Sequence, residues 1–107
     1  MRRKFLALVL ASIMVGSLLV AAYAMAATKT VRVRQPNRWA SSSVSILTGD
    51  TVRWTWSGGP PHNVTGSGFK SRTAARLTYR RTFRRRGSYR IVCTVHRNTM
   101  RMTVRVR

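Results

Sequence analysis

The sequence predicts an all-β domain, a small sandwich or barrel, behind an N-terminal export segment. Three observations carry this. Beyond the first stretch, apolar residues recur at every second position in several short runs, and those runs are separated by turns rich in Gly and Pro. Outside that stretch no window shows a 3.6-residue apolar period with helix caps. At 107 residues the chain has room for one small domain.

In chain order, Arg2, Arg3 and Lys4 precede an apolar run from Phe5 to Ala22, and Ala22-Tyr23-Ala24 and Ala24-Met25-Ala26 each offer a small-x-small cleavage signature. Residues 1–26 are therefore expected to be a signal peptide. An uncleaved membrane anchor is the alternative, because the run approaches the roughly 20 residues that a spanning helix needs. The arginine pair resembles a twin-arginine signal, but the very short basic region fits the general Sec route better. The expected location is periplasmic or extracellular, and residues 27–107 are the expected domain.

Within that domain, Val31 to Arg34 reads as a short strand, and Ser43 to Ile46 alternates polar with apolar. Gly49-Asp50 signals a turn. The clearest strand is Thr51 to Trp56, with Val52, Trp54 and Trp56 on one face and Thr51, Arg53 and Thr55 on the other. Ser57 to Pro61 reads as a break that puts His62 on a loop, after which His62 to Thr65 could resume an extended path, and Gly66-Ser67-Gly68 marks a further turn. Leu77, Tyr79, Arg81 and Phe83 share one parity. Gly87 separates them from Tyr89, Ile91 and Cys93, and Met102, Val104 and Val106 close the chain on the same period. Trp54, Trp56, Tyr79 and Phe83 read as core residues, and Arg80 to Arg86 as a hairpin. A domain of this size buries a modest core, so a metal clamp would help to stabilise it.

Charge excludes several chemistries. The 21 Lys and Arg face a single acid, Asp50, for a formal net charge of +20. Paired-carboxylate hydrolysis and metal sites built from Asp and Glu are thereby ruled out. A hydrophobic content of 44% argues against a disordered basic tail. The lone cysteine, Cys93, cannot form an intramolecular disulfide.

The residues able to carry chemistry gather near the end. Cys93-Thr94-Val95-His96-Arg97-Asn98-Thr99-Met100 sets a thiol, an imidazole and a thioether on one turn between two predicted strands, and His62 stands upstream. Two His, one Cys and a weak Met make the ligand set of a blue-copper centre. The pattern Gly49-Asp50-x-Val52-x-Trp54 leading to Pro61-His62-Asn63 resembles the plastocyanin and amicyanin branch of the cupredoxins. So does Gly87-x-Tyr89, then Cys93-x-x-His96, then Met100, then Val104-x-Val106. The likeness covers nearly all of the expected domain. It implies a small Greek-key β-sandwich and one type 1 copper ion. His62, Cys93 and His96 would be equatorial ligands and Met100 axial, with Met102 the alternative for the axial place. It further implies that Asn63 ties the two ligand loops together and that the protein carries single electrons rather than acting as an enzyme. The interval from His62 to Cys93 is short for that family, so a peripheral strand is expected to be missing or shrunken.

Other readings of the same residues stand beside this one. Cys93 could be a small buried hydrophobe and the histidines structural. Zinc would want a better fourth ligand than Met. Cys-His catalysis would want an orienting partner and a cleft. Asn63-Val64-Thr65 is formally a glycosylation sequon, read here as accidental. A copper sensor or storage protein, and a basic polyanion-binding β-domain, are the alternative functions. Arg80, Arg81, Arg84, Arg85 and Arg86, with Arg90, Arg97, Arg101, Arg105 and Arg107, would draw acidic redox partner proteins or anionic surfaces. Nucleic acid is disfavoured as a partner, since no recognition helix, finger spacing or RNA-binding aromatic signature is present and export separates the chain from it. A monomer is expected.

Overall fold

The computed structural model describes residues 25–107. The signal or anchor expected over 1–26 lies outside the described residues, apart from Met25 and Ala26. The described chain forms strands β1 (Thr28–Arg34), β2 (Arg38–Trp39), β3 (Ser43–Ile46), β4 (Thr51–His62), β5 (Thr65–Gly66), β6 (Phe69–Lys70), β7 (Ala74–Thr82), β8 (Gly87–Val92) and β9 (Arg101–Val106). They build two mixed sheets, in the orders β2-β1-β4-β7 and β3-β9-β8-β5-β6. The all-β sandwich expected from the alternating pattern is what the chain adopts. No helix of the described residues is long and apolar enough to cross a membrane.

Alternation decides which side chains meet between the sheets. On β4, Val52, Trp54 and Trp56 point inward and are buried, while Thr51, Arg53 and Thr55 face outward. On the opposite sheet β8 and β9 pair antiparallel, so that Tyr89 lies against Val104 and Ile91 against Met102 on the inner face. Arg90, Arg101 and Arg105 take the outer face. Trp54 is fully buried, meets Phe83 edge-on with ring centroids 6.5 Å apart, and donates its indole N–H to Met102 Sδ at 3.3 Å. Its removal to alanine would cost roughly 3–5 kcal/mol from burial and cavity effects. Trp56 and Phe83 are likewise buried, whereas Tyr79 is half-buried at the open edge.

Two expectations for connections fail, each for a physical reason. Ser57 to Pro61 does not end the strand. β4 runs on to His62, and pairing with β7 resumes at His62 opposite Ala74 after a bulge beyond Ser57 opposite Arg76. Gly58 and Gly59 supply the bulge with φ of 85° and 80°, a region that side-chain-bearing residues rarely adopt. His62 is therefore a strand-end residue, not a loop residue. Arg80 to Arg86 is not a hairpin either, because β7 pairs only with β4 and β8 only with β5 and β9. Phe83 drops into the core between them. Its N–H donates to Asp50 O at 2.9 Å and its carbonyl accepts from Gly49 N–H at 2.7 Å, so the chain crosses between sheets there. The interval from His62 to Cys93 holds the two-residue strands β5 and β6 and the longer β7 and β8.

Asp50 fastens the same end. Its Oδ1 accepts from Ala27 N–H at 2.8 Å and its Oδ2 from Leu47 N–H at 3.0 Å. Those two donors, helped by the charge of Lys29, hold its carboxyl below the usual 3.8.

Candidate metal centre

The elements just described bring His62, Cys93 and His96 to one end of the sandwich. β4, extended by its bulge, delivers His62. The β8–β9 connection delivers the other two. Cys93 N–H donates to Met100 O at 3.0 Å, Met100 N–H to His96 O at 2.9 Å, and His96 N–H to Cys93 O at 3.2 Å, so residues 93–100 fold into a closed turn on their own backbone. Cys93 leaves β8 on the inward parity of Tyr89 and Ile91 and is fully buried.

Their donor atoms converge. His62 Nδ1 and His96 Nδ1 are 3.3 Å apart, Cys93 Sγ lies 3.7 Å from His96 Nδ1, and one ligand atom from each residue falls within 4.8 Å of the others. A first-row ion about 2.0–2.1 Å from nitrogen and about 2.3 Å from sulfur sets neighbouring donors roughly 3.3–3.8 Å apart, and the His62–His96 and Cys93–His96 separations both fall in that range. Two nitrogens facing each other also need something between them, a shared proton or a cation. Burial, and secondarily the neighbouring His96, push the His62 imidazole below its ordinary 6.5, which favours the neutral form that ligates metal. His62 is buried with its ring edge-on to Trp56 at 5.9 Å, whereas His96 is half-buried and reaches toward the surface.

Asn63 ties the two ligand segments, as the resemblance implied. Its Nδ2 donates to Thr94 Oγ1 at 2.7 Å and Thr73 Oγ1 at 2.9 Å, and its Oδ1 accepts from Thr94 N–H at 3.0 Å and Thr65 Oγ1 at 2.9 Å. One fully buried amide thus links the residue after His62 to the residue after Cys93. That engagement also closes the sequon to carbohydrate in the folded state. Sequence reasoning missed Thr94 and Thr73 as partners of Asn63 and read Trp56 as core without its contact to His62. Only Thr94 carried a signal, through its place inside the Cys-x-x-His turn.

Met100 is fully buried on the turn that carries Cys93 and His96. Met102 lies on β9 opposite Ile91, and its sulfur accepts the Trp54 indole N–H inside the core. Cys93 has no exposure, which leaves no cleft for a thiolate attacking a substrate.

No protein-family model matches the sequence, and no curated protein matches it. Solved structures do. Amicyanin from Paracoccus versutus superposes with a TM-score of 0.65 at 27% identity, over 82% of this chain and 87% of that one. A proline variant of amicyanin in its reduced Cu(I) form at pH 4 gives 0.66 at 27% identity, over 81% and 88%. A copper-containing nitrite reductase from Thermus scotoductus matches at 21% identity and a TM-score of 0.62, over 75% of this chain but 22% of its own, and shares the fold alone. The amicyanins among these neighbours are cupredoxins, and His62, Cys93 and His96 sit together here like a blue-copper site. The three form a candidate copper-binding site.

Proposed function

We propose that this chain is an exported, mononuclear type 1 copper protein that carries single electrons and turns over no substrate. The observation that carries the reading is the convergence of two imidazoles and one buried thiol on a point set by two separate strands. Bound copper would supply a one-electron couple, held high by a weak axial thioether. The chain's own residues supply the rest. Cys93 and His62 are held by the core on one side, and His96 by the closed turn on the other, so the ligand set has little room to rearrange between oxidation states. Met100 is proposed as the axial ligand, supported by its burial on the ligand turn and by the engagement of the Met102 sulfur with Trp54. His96, the least buried ligand, is the proposed route for the electron.

Export, with residues 1–26 removed, belongs to the same proposal. It draws support from Ala27, whose N–H meets Asp50 Oδ1 at 2.8 Å. Cleavage after Ala26 would put an α-ammonium there, on the chain's only side-chain carboxylate. The arginine-rich surface favours acidic redox partners or anionic surfaces met by a monomer in the periplasm or outside the cell.

The test is the visible spectrum of the purified protein after addition of Cu(II). An intense band that Cys93→Ser abolishes is expected, because the band requires thiolate sulfur. A colourless protein that nevertheless binds Cu(I) would overturn the carrier reading in favour of copper storage or sensing. No copper binding at all would leave the basic surface as the function.

A further inference from the structure

Away from the metal centre, the open side of the sandwich holds a cleft of about 520 Å³ between the edge strand β7 and the β5–β6 edge of the other sheet. Arg81, Arg84 and Arg85 stand on its walls, the half-buried Phe69 and Tyr89 line its floor, and Phe83 backs them from the core at 3% exposure. We propose that this cleft binds a planar aromatic anion with closely spaced phosphate-type groups, such as a nucleoside polyphosphate. The ring would lie against Tyr89 and over the Arg81 guanidinium that covers Phe69, with the acidic groups on the edges of the three guanidiniums.

Position argues first. Arg81 has the inward parity of Leu77 and Tyr79 and pairs with Val52, so it points into the gap between the sheets rather than away from the protein. Its guanidinium lies over the Phe69 ring, 4.6 Å from the centroid. An inward charge on an edge strand blunts edge pairing, but that role does not call for the arginines that follow on the crossover.

Preorganisation argues second. Phe69 is stacked on Tyr79 at 6.4 Å with an interplanar angle of 17°, and meets Phe83 edge-on at 6.0 Å. Its ring also lies so close over Gly66 that a Cβ there would come within 2.4 Å of Cζ, so the glycine is what admits the ring. Tyr89 donates its hydroxyl to Arg85 O at 2.7 Å and pins the crossover above the floor.

Charge argues third. The whole chain has one acidic side chain, and Asp50 is spent on Ala27 and Leu47. No carboxylate side chain remains to neutralise the cleft, so its counter-charge comes from outside. Guanidinium forks match phosphate oxygens bidentately. A lone inorganic anion would leave the aromatic floor and most of the volume unused, whereas a ring with attached phosphates uses all three features.

The experiment is titration of the reduced protein with ATP, tripolyphosphate and adenosine at about 0.15 M ionic strength, where the Debye length is about 8 Å and distant charges are screened. Binding is followed by calorimetry and by NMR shifts. ATP is expected to bind more tightly than either fragment and to shift the amides of Gly66, Phe69, Gly87 and Tyr89. The double change Arg81→Gln with Arg85→Gln should weaken ATP at least about tenfold, as the loss of charge-assisted hydrogen bonds implies. Arg32→Gln with Arg105→Gln, which removes the same charge from outward positions on β1 and β9, should change it less than about twofold. Tyr89→Phe, which keeps the floor but frees the crossover, should weaken ATP while leaving the folded NMR spectrum elsewhere intact. Equal losses in the two double variants would overturn the proposal in favour of the overall field. So would tripolyphosphate binding as tightly as ATP, or shifts spread over the whole surface.

Discussion

Replacing Asn63 with alanine should damage both the fold and the metal site, and the structure sets the size of each effect. The change removes four hydrogen bonds, from Thr73, Thr65 and twice with Thr94. The threonine hydroxyls can rotate to other partners, so their loss is the smaller part. The Thr94 N–H is fixed by the backbone, and leaving it without an acceptor costs about 1–3 kcal/mol. With the remaining bonds the total is about 2–4 kcal/mol. For a domain of this size that lowers Tm by roughly 10–25 °C. Copper should widen the gap. Loss of an outer partner that orients ligands weakens metal binding about 10–100-fold, so the copper-loaded variant should lose a further ~1.4–2.7 kcal/mol relative to the loaded parent. Urea unfolding of metal-free and copper-loaded protein, followed by tryptophan fluorescence, reads both numbers. Asn63→Asp keeps the acceptor for Thr94 and should recover part of the loss. A cost below about 0.5 kcal/mol, or the same cost with and without copper, would refute the idea that this amide couples the two ligand segments.

Met100→Leu should keep the visible band and raise the reduction potential, while Met102→Leu should leave the potential in place and cost about 1 kcal/mol through the lost Trp54 contact; voltammetry with thermal melts separates them. Acid should destabilise the fold through Asp50: its folded pKa lies below 3.8, so its contribution is complete above that pH and is lost as pH falls through the folded value. The difference in stability between the parent and Asp50→Asn, measured by unfolding from pH 7 to 2, should be constant down to about pH 4 and then shrink. Arg53 on β4 lies directly opposite Arg80 on β7. Arg80→Glu should therefore stabilise by roughly 0.2–1 kcal/mol, less at high salt, as a salt series of melts would show. Arg97, exposed on the ligand turn beside His96, is the better docking candidate. Arg97→Glu should lower the second-order electron-transfer rate to an acidic partner more than Arg85→Glu at low ionic strength, and stopped-flow rates that fall equally would assign the effect to overall charge.

The sequence by itself determined the faces. A two-residue period dictates which side chains look inward, so Val52, Trp54, Trp56, Ile91, Cys93, Met102, Val104 and Val106 were legible as core from alternation alone, and all are buried. The gathering of His62, Cys93 and His96 was legible as well, because the chain has two His and one Cys and each carries specific ligand chemistry. Strand partners were not legible. A period of two says nothing about which strand lies alongside, and the parallel pairs β1 with β4 and β3 with β9 join segments far apart in sequence. Composition misled at Ser57 to Pro61, where the glycines and prolines form a bulge that carries β4 to His62. It misled again at Arg80 to Arg86, where the burial of Phe83 and its bonds to Gly49 and Asp50 turn an apparent hairpin into a crossover. The two-residue strands β2, β5 and β6 are too short to show a period and exist through the neighbours they pair with. The candidate metal centre is a tertiary product. His62 and His96 stand 34 positions apart, and it is the packing of one sheet on the other that sets their Nδ1 atoms 3.3 Å from each other.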